Sequence, residues 1–238
     1  MGSRPSWRDR AFVVRTYDFG EADRVVVLLT REHGLVRGVA KGVRKSRSRF
    51  GSRLQPFVDV DVLVYPGRGL STIASADTVT YYGARIIDDF DRYAAACAVM
   101  ETAERLAYDE ADPALYALVQ AALSGLQTDQ HPTMVLDAFI LQATEHAGWG
   151  LSLFDCANCG APGPHAAFNA AVGGAVCNNC RPPGSMDVDP ETLHDMWLMQ
   201  RGRPASSIRV AHIHRAAVAH LQYNLEGGLK SLKIMEQA

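Results

Sequence analysis

Phe57-Val58-Asp59-Val60-Asp61-Val62-Leu63-Val64-Tyr65 alternates apolar and acidic residues over three steps, the two-residue period of a strand with one covered and one solvated face. The alternation places Asp59 and Asp61 on the solvent side. Pro66-Gly67-Arg68-Gly69 is a turn signal, and Leu70 to Thr80 reads as the next strand. Upstream, Ala11 to Thr16, Arg24 to Thr30 and Leu35 to Ala40 are short β-branched runs. Tyr17-Asp18-Phe19-Gly20 and Glu32-His33-Gly34 separate them as turn-rich stretches. Five strands in about 75 residues is the size of a small antiparallel barrel, and the OB-fold is the natural five-stranded candidate.

From about residue 88 the period becomes helical. Ala95, Val99, Thr102, Ala103, Leu106 and Ala107 recur at i, i+3/i+4 in a segment ending near Tyr108. Asp112-Pro113 and Asp189-Pro190 are N-cap-then-proline starts, and His131-Pro132 opens a further helix that Gly148 stops. A last amphipathic stretch spans Ser207 to Leu225, and Gly227-Gly228 sets off a short basic tail. The expected architecture is α+β and multidomain: an OB-fold barrel over residues 1–82, then a helical domain over 83–238 carrying an inserted cysteine module at 155–184.

The composition, 47% apolar and 21% charged over 238 residues, is that of a globular protein and excludes a collagen-like, coiled-coil or disordered chain. No apolar run reaches membrane-spanning length, so a soluble, cytoplasmic protein with no membrane partner is expected. Gly2 with Ser6 fits a loose myristoylation pattern, which is discounted because no second membrane anchor accompanies it. The net charge of −2 hides an asymmetry. Residues 1–53 hold 13 Lys+Arg against 5 Asp+Glu, whereas residues 54–238 hold 11 against 21. Such a split points to a polyanion-binding front end on an acidic body.

Cys156-Ala157-Asn158-Cys159 and Cys177-Asn178-Asn179-Cys180 leave 17 residues between the inner cysteines, within the spacing of a closed zinc site. Each Cys-x2-Cys turn aims two thiolates at one ion, and two turns complete a tetrahedron. Disulfides are disfavoured in a reducing compartment, and nothing else suggests an iron–sulfur electron carrier. One zinc with four protein ligands has no open position and is structural. His165 falls in the loop between the pairs as a bystander.

Between Arg37 and Arg53, seven cations (Arg37, Lys41, Arg44, Lys45, Arg47, Arg49 and Arg53) occur without an acidic residue. Interleaved Ser and Gly keep the segment adaptable and add donors for phosphate oxygens. Its place between barrel strands matches where OB-folds hold nucleic acid. Tyr17, Phe19 and Phe50 are candidate stacking platforms for bases.

No phosphate-binding loop, H-E-x-x-H or G-x-S-x-G is present. Asp88, Asp89 and Asp91 suit a helix start better than a nuclease site. His212 and His214, at i, i+2, do not face one ion from a helix, and Cys97 reads as a buried small apolar residue. No enzyme is expected.

The sequence resembles bacterial RecO, the recombination mediator family, over nearly its whole length. The resemblance rests on Tyr17-Asp18-Phe19-Gly20-Glu21-Ala22-Asp23-Arg24 and Leu29-Thr30-Arg31-Glu32-His33-Gly34, and on Val39 to Arg49 with Leu54-Gln55-Pro56-Phe57. The glycine turn before Leu70, the four cysteines and Leu229-Lys230-Ser231-Leu232-Lys233 add to it. It implies an OB-fold, a zinc-bearing helical domain, and binding and annealing of single- and double-stranded DNA. The partners it implies are RecR, the acidic tail of single-stranded-DNA-binding protein and, indirectly, RecA. An acidic tail with an apolar tip needs a cation beside an apolar groove; the candidates are Arg201, Arg203 and Arg209, or Lys230 and Lys233. The rival classes are a zinc-ribbon adaptor of transcription or translation and a zinc-dependent nucleic-acid enzyme.

Overall fold

The computed structural model describes residues 5–129 and 131–235; Gly2 lies outside them. Five strands, β1 (Trp7–Phe19), β2 (Asp23–Thr30), β3 (Leu35–Ala40), β4 (Val58–Tyr65) and β5 (Ser71–Tyr81), close into a barrel in the order β1-β2-β3-β5-β4. The OB-type barrel is as expected, but it is not wholly antiparallel, because β3 and β5 pair in parallel at Gly38–Ser71 and Val39–Thr72. Gly38 permits that approach: a Cβ there would lie 2.8 Å from the Ile73 side chain.

β1 is longer than the expected run because it serves two neighbours. Trp7 to Phe12 pairs with β4 and Ala11 to Phe19 with β2, with a register shift between Val13 and Arg15. Tyr17 and Phe19 therefore sit on the end of a strand rather than in a loop.

The barrel has two apolar faces. Ala11, Val13, Val26, Leu28, Val60, Val62 and Ile73 fill its interior. Phe12, Val14, Val27 and Leu29 point outward and join the core of the helical domain. That double covering explains why β2 is a continuous apolar run rather than an alternating one.

It also overturns the expected solvent face of β4. Asp61 is half-exposed and pairs with Arg8 at 3.0 Å, but Asp59 is completely buried. Asp59 takes both Nε and Nη2 of Arg10, and the Tyr116 hydroxyl donates to it at 2.7 Å. The carboxylate helps hold Arg10 in its charged form, while burial and then the Asp59 contact push the Tyr116 phenol far up. Alternation gave Asp59 the correct side of the strand; the helical domain then covered that side.

The helical domain comprises α1 (Phe90–Leu106), α2 (Pro113–Thr128), α3 (Pro132–His146), α4 (Pro190–Gln200), α5 (Val210–Asn224) and α6 (Lys230–Met235). Asp89 and Asp112 cap α1 and α2, accepting from the N–H groups of Arg92 at 3.0 Å and Leu115 at 2.9 Å. Asp189 occupies the corresponding position before α4, but its side chain makes no capping bond. The expected basic tail is instead α6, docked against α1 with Leu229 and Leu232 buried. Glu101 on α1 receives the N–H groups of Lys230 and Ser231 at 3.0 and 2.9 Å and the Ser231 hydroxyl at 2.7 Å. No helix among the described residues is long and apolar enough to cross a membrane.

Candidate metal centre and nucleic-acid surface

Between α3 and α4 the chain forms a small module with a three-stranded sheet, β6 (Ala167–Asn169), β7 (Gly174–Ala175) and β8 (Met186–Asp187), ordered β7-β6-β8. These strands are too short to show a sequence period. The sulfurs of Cys156, Cys159, Cys177 and Cys180 lie within 4.8 Å of one another. The first knuckle turns through Gly160, whose φ of +70° suits glycine and whose N–H donates to the Cys156 carbonyl at 2.8 Å. In the second, the Cys180 N–H donates to the Cys177 carbonyl at 3.1 Å.

The apolar cluster beside the cysteines is small, with Cys156, Ala167 and Val176 buried in it, while Phe168 and Ala175 of the same sheet are buried in the core of the helical domain. The Cys177 N–H, and after it that of Cys159, favour the Cys156 thiolate and pull that thiol down to about 6. Four thiolates this close repel one another unless a cation lies among them, so the donor set fits a closed, four-sulfur metal site. His165 is outside it, with Nε2 3.0 Å from the Ala161 carbonyl.

Arg37 lies on β3, opposite Val27, and the other six cations lie in the β3–β4 connection, which is folded rather than loose. Lys45 N–H reaches the Gly42 carbonyl, Ser48 N–H that of Lys45 and Arg53 N–H that of Phe50, all at 3.0–3.1 Å. Its start is fastened to the β1–β2 turn: Gly42 N–H donates to Asp23 at 2.7 Å and Arg44 N–H to the Ala22 carbonyl at 3.0 Å. Its far end is anchored by Phe50 and Leu54, both buried in the barrel core.

Phe50, expected as a stacking platform, is 1% exposed and cannot meet a base with its faces. An aromatic in a basic loop has the same sequence surroundings whether it points out or in. Tyr17 and Phe19 are 43% and 48% exposed at the strand end beside the segment. Arg37, Lys41, Arg44, Lys45, Arg47 and Arg49 are exposed and Arg53 is half-buried.

Arg44 is partly engaged, pairing with Asp18 at 3.3 Å, where Arg24 also binds at 3.0 Å. Arg53 braces the segment by donating to the Arg49 carbonyl at 2.8 Å, and the Arg49 guanidinium lies over Phe50. Arg15 and Arg24 extend the cationic surface onto the barrel. Their place becomes readable only once β1 is known to run to Phe19, which sets Arg24 opposite Asp18.

The tail candidates separate. Arg209 is tied to Asp195 at 3.2 Å, and Arg201 lies over the Trp197 ring. Arg203 borders a groove of about 420 Å³ formed by α2, α3 and the end of α4, lined by Leu118, Met134, Phe139 and Met199, with Asp129 at α2's end. Lys230 borders a different cleft, between the barrel and α1, where Glu101 and Glu104 also lie. Lys233 is exposed on α6. His214 is paired with the fully buried Asp137 at 2.7 Å, a contact within the helix bundle.

Two family models match the chain. One, described as Recombination protein O N terminal, covers residues 2–82. The other, described as Recombination protein O C terminal, covers residues 87–233.

Proposed function

The chain belongs to the recombination protein O family, whose two models span both its barrel and its helical domain, and from that premise we propose that it is a non-enzymatic mediator that binds single- and double-stranded DNA and anneals complementary strands. In this proposal residues 1–82 are the DNA-binding domain and 83–238 the helical domain with its insert at 155–184. The carrying observation is the braced cationic segment: seven Lys and Arg residues held on the barrel by Phe50 and Leu54 and laid against the β1–β2 turn. Cations fixed in this way neutralise phosphates of two strands at once, so complementary bases meet without nucleotide hydrolysis.

Zinc is the ion the four cysteines suit, and it would close the insert while offering no open position for chemistry. The physiological partners in this reading are RecR, RecA indirectly, and the acidic tail of single-stranded-DNA-binding protein, all in the cytoplasm. For the tail, the Arg203 groove is favoured, because Leu118, Met134, Phe139 and Met199 give it the apolar wall and Arg203 the bordering cation that an acidic tail with an apolar tip needs, with Asp129 also in its lining. Annealing of complementary strands without nucleotide or Mg²⁺ tests the proposal. The protein should accelerate pairing, and a rate equal to that of the strands alone would reject it in favour of an adaptor acting through protein contacts.

A further inference from the structure

The cleft between the barrel and α1 has an aromatic wall at the place where the basic segment ends. It encloses about 430 Å³, with Val14 and Met100 among its apolar lining and Phe57 and Tyr93 meeting edge to face at 5.7 Å. Phe57 has a φ of +66°, a left-handed conformation unusual for a bulky residue. Its carbonyl accepts the Tyr82 N–H at 3.0 Å and its ring is buried, which holds that conformation in place. Tyr93 is 45% exposed, so its ring is available to a ligand.

Burial pushes the Cys97 thiol up, so it presents soft apolar surface rather than a thiolate. The two carboxylates in the cleft are already engaged: Glu104 pairs with Arg15 at 2.8 Å and Glu101 caps α6. Lys230 stands at the same cleft with its side chain exposed.

None of the seven cations lines the cleft, but the chain links its walls to the basic segment from two directions. Pro56 and Phe57, in its wall, are separated from Arg53 and Leu54 by Gln55 alone. On the other side Arg15, at its rim, lies against Tyr17, the residue next to the Asp18 that holds Arg24 and Arg44. The geometry points to this cleft as a seat for one unstacked base of a single strand whose phosphates lie on the basic segment, with Tyr93 as the stacking ring. The inference rests on the proposed DNA-binding role and adds to the phosphate contacts of the basic segment a base-dependent one, separate from the exposed rings of Tyr17 and Phe19. A strand seated in this way would carry splayed bases, ready to meet a complement.

The test measures binding of the full-length protein to labelled oligothymidylate and to the same strand with abasic sites, by anisotropy at several salt concentrations. One stacked base is worth about 1–3 kcal/mol, so the wild type should bind the abasic strand roughly tenfold more weakly. Tyr93→Ala should lose about the same factor on the intact strand, lose nothing further on the abasic strand, and keep the wild-type salt slope. Tyr93→Phe should restore discrimination, separating stacking from a folding defect. Equal affinity of the wild type for both strands would overturn the base seat while leaving phosphate binding intact. So would a Tyr93→Ala variant that keeps full discrimination, or one that leaves DNA affinity unchanged but loses an acidic peptide. No binding to either strand would refute the DNA-binding reading itself.

Discussion

Asp59 joins the barrel to the helical domain, and its removal has a calculable effect. In Asp59→Ala the Tyr116 hydroxyl loses its acceptor inside the protein, and Arg10 loses both of its bonds. Breaking a buried ion pair costs about 3–5 kcal/mol, and the lower end applies here because the Arg10 side chain is 34% exposed and can recover water. Tyr116→Phe removes a single bond to a charged acceptor and should cost about 2 kcal/mol. At roughly 2–4 °C per kcal/mol for a chain of this size, Asp59→Ala should melt about 10 °C lower and Tyr116→Phe about 5 °C lower. Calorimetry on the two variants and on Asp59→Ala/Tyr116→Phe checks this, since the double variant should lose less than the sum of its single changes. If Asp59→Ala melted within about 1 °C of wild type, or the effects were additive, the interdomain clamp would be refuted.

Glu101→Ala should loosen α6 by about 1 kcal/mol, read as faster hydrogen exchange of residues 229–235. Burial alone would raise the Glu101 carboxyl, but the Ser231 and Lys230 contacts hold it below its ordinary 4.5. The α6 contact is therefore fully present above that pH and fades as the pH falls through the lower, folded-state value, and Glu101→Ala should lack this acid dependence. Chelation, or Cys159→Ala, should release the bound metal and open the cysteine knuckles to limited proteolysis, because the apolar cluster beside them is small; metal analysis should give one ion per chain. Phe50→Ala should cost about 3 kcal/mol and weaken DNA binding as well, since it unpins the basic segment from the barrel; unchanged affinity would separate the segment's anchoring from its function.

The parts of the molecule legible in sequence were those written in local pattern. Strand β4 followed from alternation, β2, β3 and β5 from β-branched runs and the turn residues between them, and the four cysteines from their spacing, because a metal site needs its ligands in pairs on tight turns. What escaped was set by contacts between distant segments. Asp59 looked solvated until α2 covered its side of β4. Phe50 looked like a platform until the barrel interior claimed it. Residues 230–235 looked like a basic tail because a helix of six residues shows too little period, and its cap, Glu101, lies more than a hundred positions upstream. The cationic extension through Arg15 and Arg24 likewise depended on how far β1 ran.

The central claim is that the segment from Arg37 to Arg53 supplies most of the DNA affinity, and the salt dependence of single-strand binding tests it most directly. If about five of its cations meet phosphates, log K should fall with log[salt] at a slope near −3.5. Replacing Arg44, Lys45, Arg47 and Arg49 with alanine should flatten that slope to about −1 and weaken all sequences alike. Metal content and melting temperature should stay near wild type, because exposed cations contribute little to stability. A quadruple variant with wild-type affinity and an unchanged slope would place the DNA on another surface and contradict the account.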